Sequence, residues 1–270
     1  MGWDEMSGCR LAVGFFGIPR SLKWTLSSLE ENILSPLREL GTLEVFAHFY
    51  RQLAIDNPRS GEDGFLDQSD YGLLTYDGLI LEEPGECLEK RGFRDILSYG
   101  DPWGDEGKSL SNLVHQLNSL QALSSLIESA KPEVVVLARP DLLYHDNLLP
   151  ACLEHFRLPP KSITIPDWQW FGGVNDRFAI CGYDAFLAYA NRIDLVFDYL
   201  KANKGGLHSE QFLFYCLNRL GVRIHPGHFC ASRVRSNGFV VPESFKPIST
   251  SKKIRRLFVN RICCSLVDHR

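Results

Sequence analysis

The chain has 270 residues, 44% of them hydrophobic and 23% charged, with a formal net charge of −4. This length suits one large α/β domain, or one domain with a smaller lobe, and the balance is that of an ordinary globular protein. A mildly acidic chain argues against a nucleic-acid partner, which selects a basic excess. No stretch reaches the ~20 apolar residues of a membrane-spanning helix. The eight cysteines are scattered and form no CxxC pair. Residues 1–10 are polar and the apolar run at 11–16 is too short for a secretory leader, so reduced thiols in a cytoplasmic protein are expected.

In chain order, residues 11–17 read as a strand that runs into the turn Gly17-Ile18-Pro19-Arg20. Apolar residues at 22, 24, 26, 29, 33, 34, 37 and 40 keep near-helical spacing, Gly41 stops that helix, and 43–49 gives a second strand. A strand pattern that returns after one helix is the opening of a parallel sheet. Residues 51–105, rich in Gly, Asp, Pro and Glu, read as long loops with brief helical turns. Residues 109–128 form a leucine-rich helix, and 134–138 follow as a β-branched, buried strand. Residues 163–165 and 178–180 read as short strands, 183–200 and 209–220 as helices, and 222–224 as a last strand. The expectation is an α/β fold: a single domain over 1–250 with a Rossmann-like, mostly parallel central sheet, flanking helices and an irregular insert at 51–105. A basic tail follows at 251–270.

Five places carry chemistry. Gly17-Ile18-Pro19-Arg20 leads into a helix N-terminus, whose free N–H groups attract anions. Arg20 there is either a bidentate phosphate fork or a solvated turn residue; neither the dinucleotide fingerprint nor the P-loop is present. Arg139-Pro140-Asp141 delivers a cation and a carboxylate to the carboxyl edge of the sheet, where open α/β sheets bind ligands. Asp141 suits Mg2+ or Mn2+ on a diphosphate, or closes a salt bridge with Arg139; Asp146 reads as a turn residue.

Gly172-Gly173-Val174-Asn175-Asp176-Arg177 either lets backbone approach a ligand, with Asp176 on sugar hydroxyls, or makes a hairpin turn with a capping acid. Trp168, Trp170 and Phe171 just before it favour a site, because aromatic faces stack on sugar rings. In His208-Ser209-Glu210, Ser209 is a plausible N-cap, and Glu210 is either a first-turn acid facing the helix dipole or a general base. His225, His228 and Cys230 lack the second ligand pair of a structural zinc site. The alternative is a lone His225 joining Asp141 on a diphosphate-bound metal.

Taken in order, Gly17-Ile18-Pro19-Arg20, the strand ending in Asp141, Gly173–Phe178 and His208-Ser209-Glu210 resemble the nucleotide-sugar glycosyltransferases of the GT-A fold. The likeness is nearest to bacterial-type transferases of lipopolysaccharide, capsule and other surface-polysaccharide biosynthesis, and it spans residues 11–224. It implies transfer of a hexosyl or pentosyl group from a nucleotide-diphosphate donor to a hydroxyl of a glycan or glycolipid acceptor. Donor contacts then fall to Gly17, Arg20, Arg139, Asp141, Gly173 and Asn175, and sugar stacking to Trp168 and Trp170. Asp176 and Glu210 become the catalytic carboxylates, with Glu210 deprotonating the acceptor if the reaction inverts. Mn2+ or Mg2+ would sit on Asp141 with His225. The family's metal motif, Asp-x-Asp, reads Arg139-Pro140-Asp141 here, so a metal-independent diphosphate site built on Arg139 is the other expectation. Two further readings are another nucleotide-using α/β transferase and a non-catalytic carbohydrate- or nucleotide-binding module. In the tail, Lys252, Lys253, Arg255 and Arg256 alternate with Ile254, Leu257 and Phe258; this segment either packs on the domain or makes a peripheral contact with anionic lipid.

Overall fold

The computed structural model describes residues 8–57, 61–203 and 205–249. β1 (Cys9–Gly17) buries residues 11–16 on both faces, which is the environment of a central parallel strand. The helix after it runs from α1 (Leu22–Leu29) through a π-turn (Glu30–Leu34) into α2 (Ser35–Leu40). Pro36 has no N–H to give the preceding turn. The carbonyl of Asn32, freed by that gap, accepts the N–H of Leu148 at 2.9 Å.

β2 (Gly41–Tyr50) then pairs parallel with β1. The antiparallel hairpin β3 (Ala54–Asn57) and β4 (Glu62–Phe65) precedes β5 (Gly78–Glu82), which pairs parallel with β2 and forms one edge of the main sheet. The loop-rich insert expected at 51–105 therefore includes a strand of the central sheet, as well as α3 (Cys87–Lys90) and α4 (Phe93–Ser98).

α5 (Lys108–Ile127) buries Leu110, Leu113, Leu117, Leu120, Leu123 and Ile127. It lies hard against β1: a Cβ on Gly14 would come within 2.8 Å of the Leu123 side chain. β6 (Val134–Ala138) is buried at all five positions. β7 (Leu142–Tyr144), α6 (Leu149–His155), β8 (Ser162–Pro166), β9 (Ala179–Gly182), α7 (Tyr183–Ala190), α8 (Val196–Ala202), α9 (Ser209–Arg219), β10 (Arg223–Gly227) and β11 (Ala231–Arg233) complete the described elements.

The main sheet has seven strands in the order β10-β8-β9-β6-β1-β2-β5. Six run in one direction and β9 alone runs against them. Alternate side chains of β1 and β6 feed two cores. Leu11, Val13, Phe15, Val134 and Val136 pack with α1, α2 and α6 on one face. Ala12, Phe16, Val135 and Leu137 pack with α5, α7 and α9 on the other. This is a single mixed, mostly parallel sheet with helices on both faces. The reversal of β9 has a functional consequence: the segment entering β9 lies at the same edge as the segments leaving β1, β2, β6, β8 and β10. Among the described residues no helix is long and apolar enough to cross a membrane, and the six described cysteines are all free thiols. The basic tail at 251–270 lies outside the described residues.

Candidate active site

Two adjoining cavities open at that edge. The inner one, about 280 Å3, lies between the ends of β1 and β2, the β3–β4 hairpin and the first turns of α5; Tyr50, Gln52, Asn57, Asn112 and His115 line it with hydrogen-bonding groups. The outer one, about 770 Å3, is bounded by Trp103, Phe171, Asp176, His208, Glu210 and Glu243. Arg20 and Arg139 line both and mark the junction.

The junction is shaped by the turn after β1. Gly17 adopts φ +103, a left-handed backbone open chiefly to glycine. Its N–H donates to Ser119 Oγ at 2.9 Å, and His48 Nδ1 lies 2.9 Å from the same oxygen. This buried network on α5 and β2 sets the direction in which Arg20 leaves the strand. Arg20 donates to Asp141 Oδ2 at 2.9 Å and pairs with Glu62 at 3.3 Å. Arg139 grips Asp141 with two parallel bonds of 2.8 Å, from Nε to Oδ1 and from Nη2 to Oδ2. Burial alone would raise the Asp141 pKa; Arg139 and Arg20 outweigh it and hold the carboxyl well below the usual carboxylate range.

The same pattern continues around the wall. Glu62 also receives Arg235 at 2.8 Å. Glu243 receives Arg233 Nε at 2.7 Å and pairs with Arg177 at 3.0 Å. Burial would raise the Glu243 pKa as well, but the Gln169 amide, Arg177 and Arg233 bring it below its ordinary range. Three buried carboxylates thus each bridge two of five arginines. Counted together, 5 guanidiniums less 3 carboxylates leave a net charge of +2 on this wall.

An acidic pair adjoins this wall, and Asp176 acts on both Arg139 and Arg177. Asp176, on the segment entering β9, accepts hydrogen bonds from Gln116 at 3.4 Å and from the Ser209 hydroxyl. Glu210, in the first turn of α9, lies 3.2 Å from His208 Nδ1. The His208 ring stacks on Trp103, with centroids 5.7 Å apart and an interplanar angle of 21°. Asp101 fixes the loop that carries Trp103 by accepting the backbone N–H groups of Trp103, Asp105 and Gly107.

Arg20, Arg139, Asp141, Asp176 and Glu210 all line these cavities, and Gly17 lines the inner one. Other expected site residues do different work. Trp168 and Trp170 are buried and offer no face to a sugar. Trp168 donates to the Phe229 carbonyl at 2.9 Å and supports the Arg177 guanidinium, 4.9 Å above its ring; Trp170 donates to the Pro166 carbonyl at 2.7 Å. Phe171, between the buried pair and α9, is the exposed aromatic of the segment, at 59%.

Asn175 is buried: its amide donates to Trp168 O at 3.0 Å and its carbonyl accepts Arg177 N–H at 3.0 Å. Gly173 abuts protein, since a Cβ there would sit 1.8 Å from the Glu210 carbonyl oxygen. Ser209 does not cap α9; His208 holds the N-cap position, and the Ser209 hydroxyl turns to Asp176. Asp146 accepts Cys230 N–H at 2.6 Å, a long-range tie between the segment after β7 and the segment before β11.

The expected metal pair does not converge. His225 lies on β10, which β8 and β9 separate from β6, a span of about 14 Å at the usual strand spacing. It acts on His155 across the sheet face. The donor set at Asp141 does not suit a cation either, because its oxygens are already committed to two guanidiniums. Among the described residues no cluster of three or more His, Cys, Asp or Glu side chains could hold a metal ion.

Sequence reasoning passed over Trp103, Arg233, Arg235 and Glu243, and gave Glu62 no role. The signal for Trp103 was a lone tryptophan in a polar loop between Pro102 and Gly104. For Arg233 and Arg235 it was the alternation Arg-Val-Arg, which in extended chain turns both cations to one side.

The sequence matches no protein-family model and no curated protein. Among solved structures the chain is similar to mouse xyloside xylosyltransferase 1 in its apo form, with a TM-score of 0.38 and 13% identity over 80% of this chain and 84% of that one. It is also similar to the galactosyltransferase LgtC in complex with donor and acceptor sugar analogs, with a TM-score of 0.42 and 10% identity over 77% of this chain and 69% of that one. An active-site mutant of LgtC gives a TM-score of 0.40 and 11% identity over the same shares.

Proposed function

We propose that this chain transfers a sugar from a nucleoside-diphosphate donor to a hydroxyl of a glycan or glycolipid acceptor. The observation that carries the reading is the pairing of the two cavities through Arg20 and Arg139, with five arginines and the carboxylates Asp176 and Glu210 lining the outer one. The inner cavity takes the nucleoside, whose base and ribose meet the polar side chains of β2, β3 and α5. The diphosphate then lies at the junction and the sugar points into the outer cavity.

As the bond from the anomeric carbon to the diphosphate oxygen breaks, negative charge grows on the leaving group and positive charge on the sugar ring. Fixed guanidiniums already held in place by Asp141 and Glu62 stabilise that leaving group without reorganising. Glu210, beside His208, accepts the proton of the attacking hydroxyl. Ser209 and Gln116 hold Asp176 towards the same space, where it meets sugar hydroxyls. The diphosphate is neutralised by arginine, in keeping with the poor fit of Asp141 to Mn2+ or Mg2+.

Glu210→Gln tests the reading, with donor binding and turnover measured on a panel of nucleotide-sugars. Turnover should fall by about 10²–10⁴, the usual share of a general base, while stabilisation of the fold by nucleoside diphosphate persists. Full turnover in the variant would remove Glu210 from the chemistry. A chain that binds donors and transfers nothing, in wild type and variant alike, would be a binding module.

A further inference from the structure

The two cavities differ in the arginines they own. Arg20 and Arg139 line both, within reach of a diphosphate at the junction, whereas Arg177, Arg233 and Arg235 line only the outer cavity. Arg235 is drawn to Glu62, shared with Arg20. Arg177 and Arg233 share Glu243, and Asp176 acts on Arg177 as well, which leaves the positive charge at this end concentrated on Arg233.

That charge faces the cavity through Arg233. Its side chain is 38% exposed, against 12% for Arg177 and 2% for Glu243. Its bond to Glu243 is made through Nε, which leaves the two terminal nitrogens for another acceptor. Phe171 lines the same cavity, 59% exposed and held at φ +34 directly after the buried, anchored Trp170. A left-handed backbone at a phenylalanine is a strained conformation that the surrounding structure has to enforce. An aromatic face and a half-solvated guanidinium lining one cavity make a receptor for a ring that carries an anion.

We propose that the acceptor is an anionic glycoside, whose phosphate or carboxylate is received by Arg233 while its sugar ring lies against Phe171. This inference rests on the sugar-transfer reading, which assigns the outer cavity to the acceptor.

The test is calorimetric titration of the full chain with glucose 6-phosphate, methyl glucuronide and methyl glucoside. Each is run with and without saturating uridine, guanosine or adenosine diphosphate. At least one of the two anionic probes should bind about tenfold or more tighter than methyl glucoside, as expected of charge-assisted hydrogen bonds, and should keep that affinity when a nucleoside diphosphate is bound. Which of the two gains more tells phosphate from carboxylate. Arg233→Gln should erase the difference and Arg233→Lys should retain most of it, with nucleoside diphosphate affinity unchanged in both; Arg233→Gln, which takes one of two cations from the buried Glu243, also lowers the thermal midpoint, whereas Arg233→Lys largely keeps it.

Equal binding of all three probes would overturn the proposal, as would an anion preference that survives Arg233→Gln. Displacement of glucose 6-phosphate by nucleoside diphosphate would also overturn it, because the anion would then be sitting in the donor corner. If no nucleoside diphosphate binds while the Arg233-dependent preference stands, the anion subsite is upheld and the donor reading fails.

Discussion

Asp141→Asn perturbs the most heavily committed carboxylate of the site. Its two oxygens take three charged hydrogen bonds from Arg20 and Arg139, and its side chain is only 4% exposed. The amide keeps the shape, removes the charge and leaves two guanidiniums facing each other. Removing one partner of a buried ion pair costs about 3–5 kcal/mol, chiefly through the uncompensated charge. The lower end applies here, because Arg139 is 26% exposed to water and Arg20 retains Glu62. At about 2 °C per kcal/mol for a chain of this length, a loss of ~3 kcal/mol lowers Tm by about 6 °C.

Thermal unfolding followed by circular dichroism reads this directly. The double variant Arg139→Met/Asp141→Asn should recover part of the loss, since it removes the stranded cation along with its partner. A single variant as stable as wild type, or a double variant less stable than the single, would refute the view of Asp141 as the clamp of an arginine site.

Three further outcomes follow from named contacts. His155 is buried against Thr164 and its pKa is lowered to about 4, by burial first and then by His225. The unfolded chain therefore takes up a proton that the folded chain refuses between pH 6.5 and about 4. Stability should be complete above pH 6.5 and fall by about 1.4 kcal/mol per pH unit through that window. Denaturant midpoints across it should show a shallower slope in His155→Gln, and an unchanged slope would contradict the assignment. Gly173→Ala should destabilise by ~2 kcal/mol or more through overpacking and displace Glu210, so that Tm and turnover fall together; a stable, active variant would mean that the α9 N-terminus yields freely. Trp168→Ala should cost ~3–5 kcal/mol as a core truncation, visible in denaturant unfolding, whereas Phe171→Ala should leave the midpoint nearly unchanged.

How much of this was legible in the sequence depended on range. β1, α1–α2, β2, α5 and β6 announce themselves through local apolar period, because each buries a continuous face. β5 is only half-buried at every position and sits among polar loops, so its run Leu79-Ile80-Leu81 gave a weak signal. The reversal of β9 leaves no trace in its own residues; only pairing partners tell a parallel from an antiparallel strand.

The site divides in the same way. Arg139 and Asp141 are two residues apart at the end of a recognisable strand, and their convergence was readable. Glu62 lies 42 residues after Arg20, Arg235 and Glu243 lie more than 200 residues after it, and only the tertiary fold brings them together. Trp168 and Trp170 were misjudged because an aromatic that serves the core and one that serves a ligand carry the same side chain. What separates them here is that their indole N–H groups find backbone carbonyls inside the protein.

The central claim is a sugar transfer in which arginine, in place of a bound cation, holds the donor diphosphate. Its most direct test is the rate of sugar transfer from a nucleotide-sugar panel in the presence of EDTA, measured for wild type and Arg139→Met. The account predicts wild-type turnover that chelation leaves unchanged and that Arg139→Met lowers by about 10²–10³, the usual loss when a transition-state electrostatic partner is removed. Turnover abolished by EDTA and restored by Mn2+, with Arg139→Met as active as wild type, would contradict it.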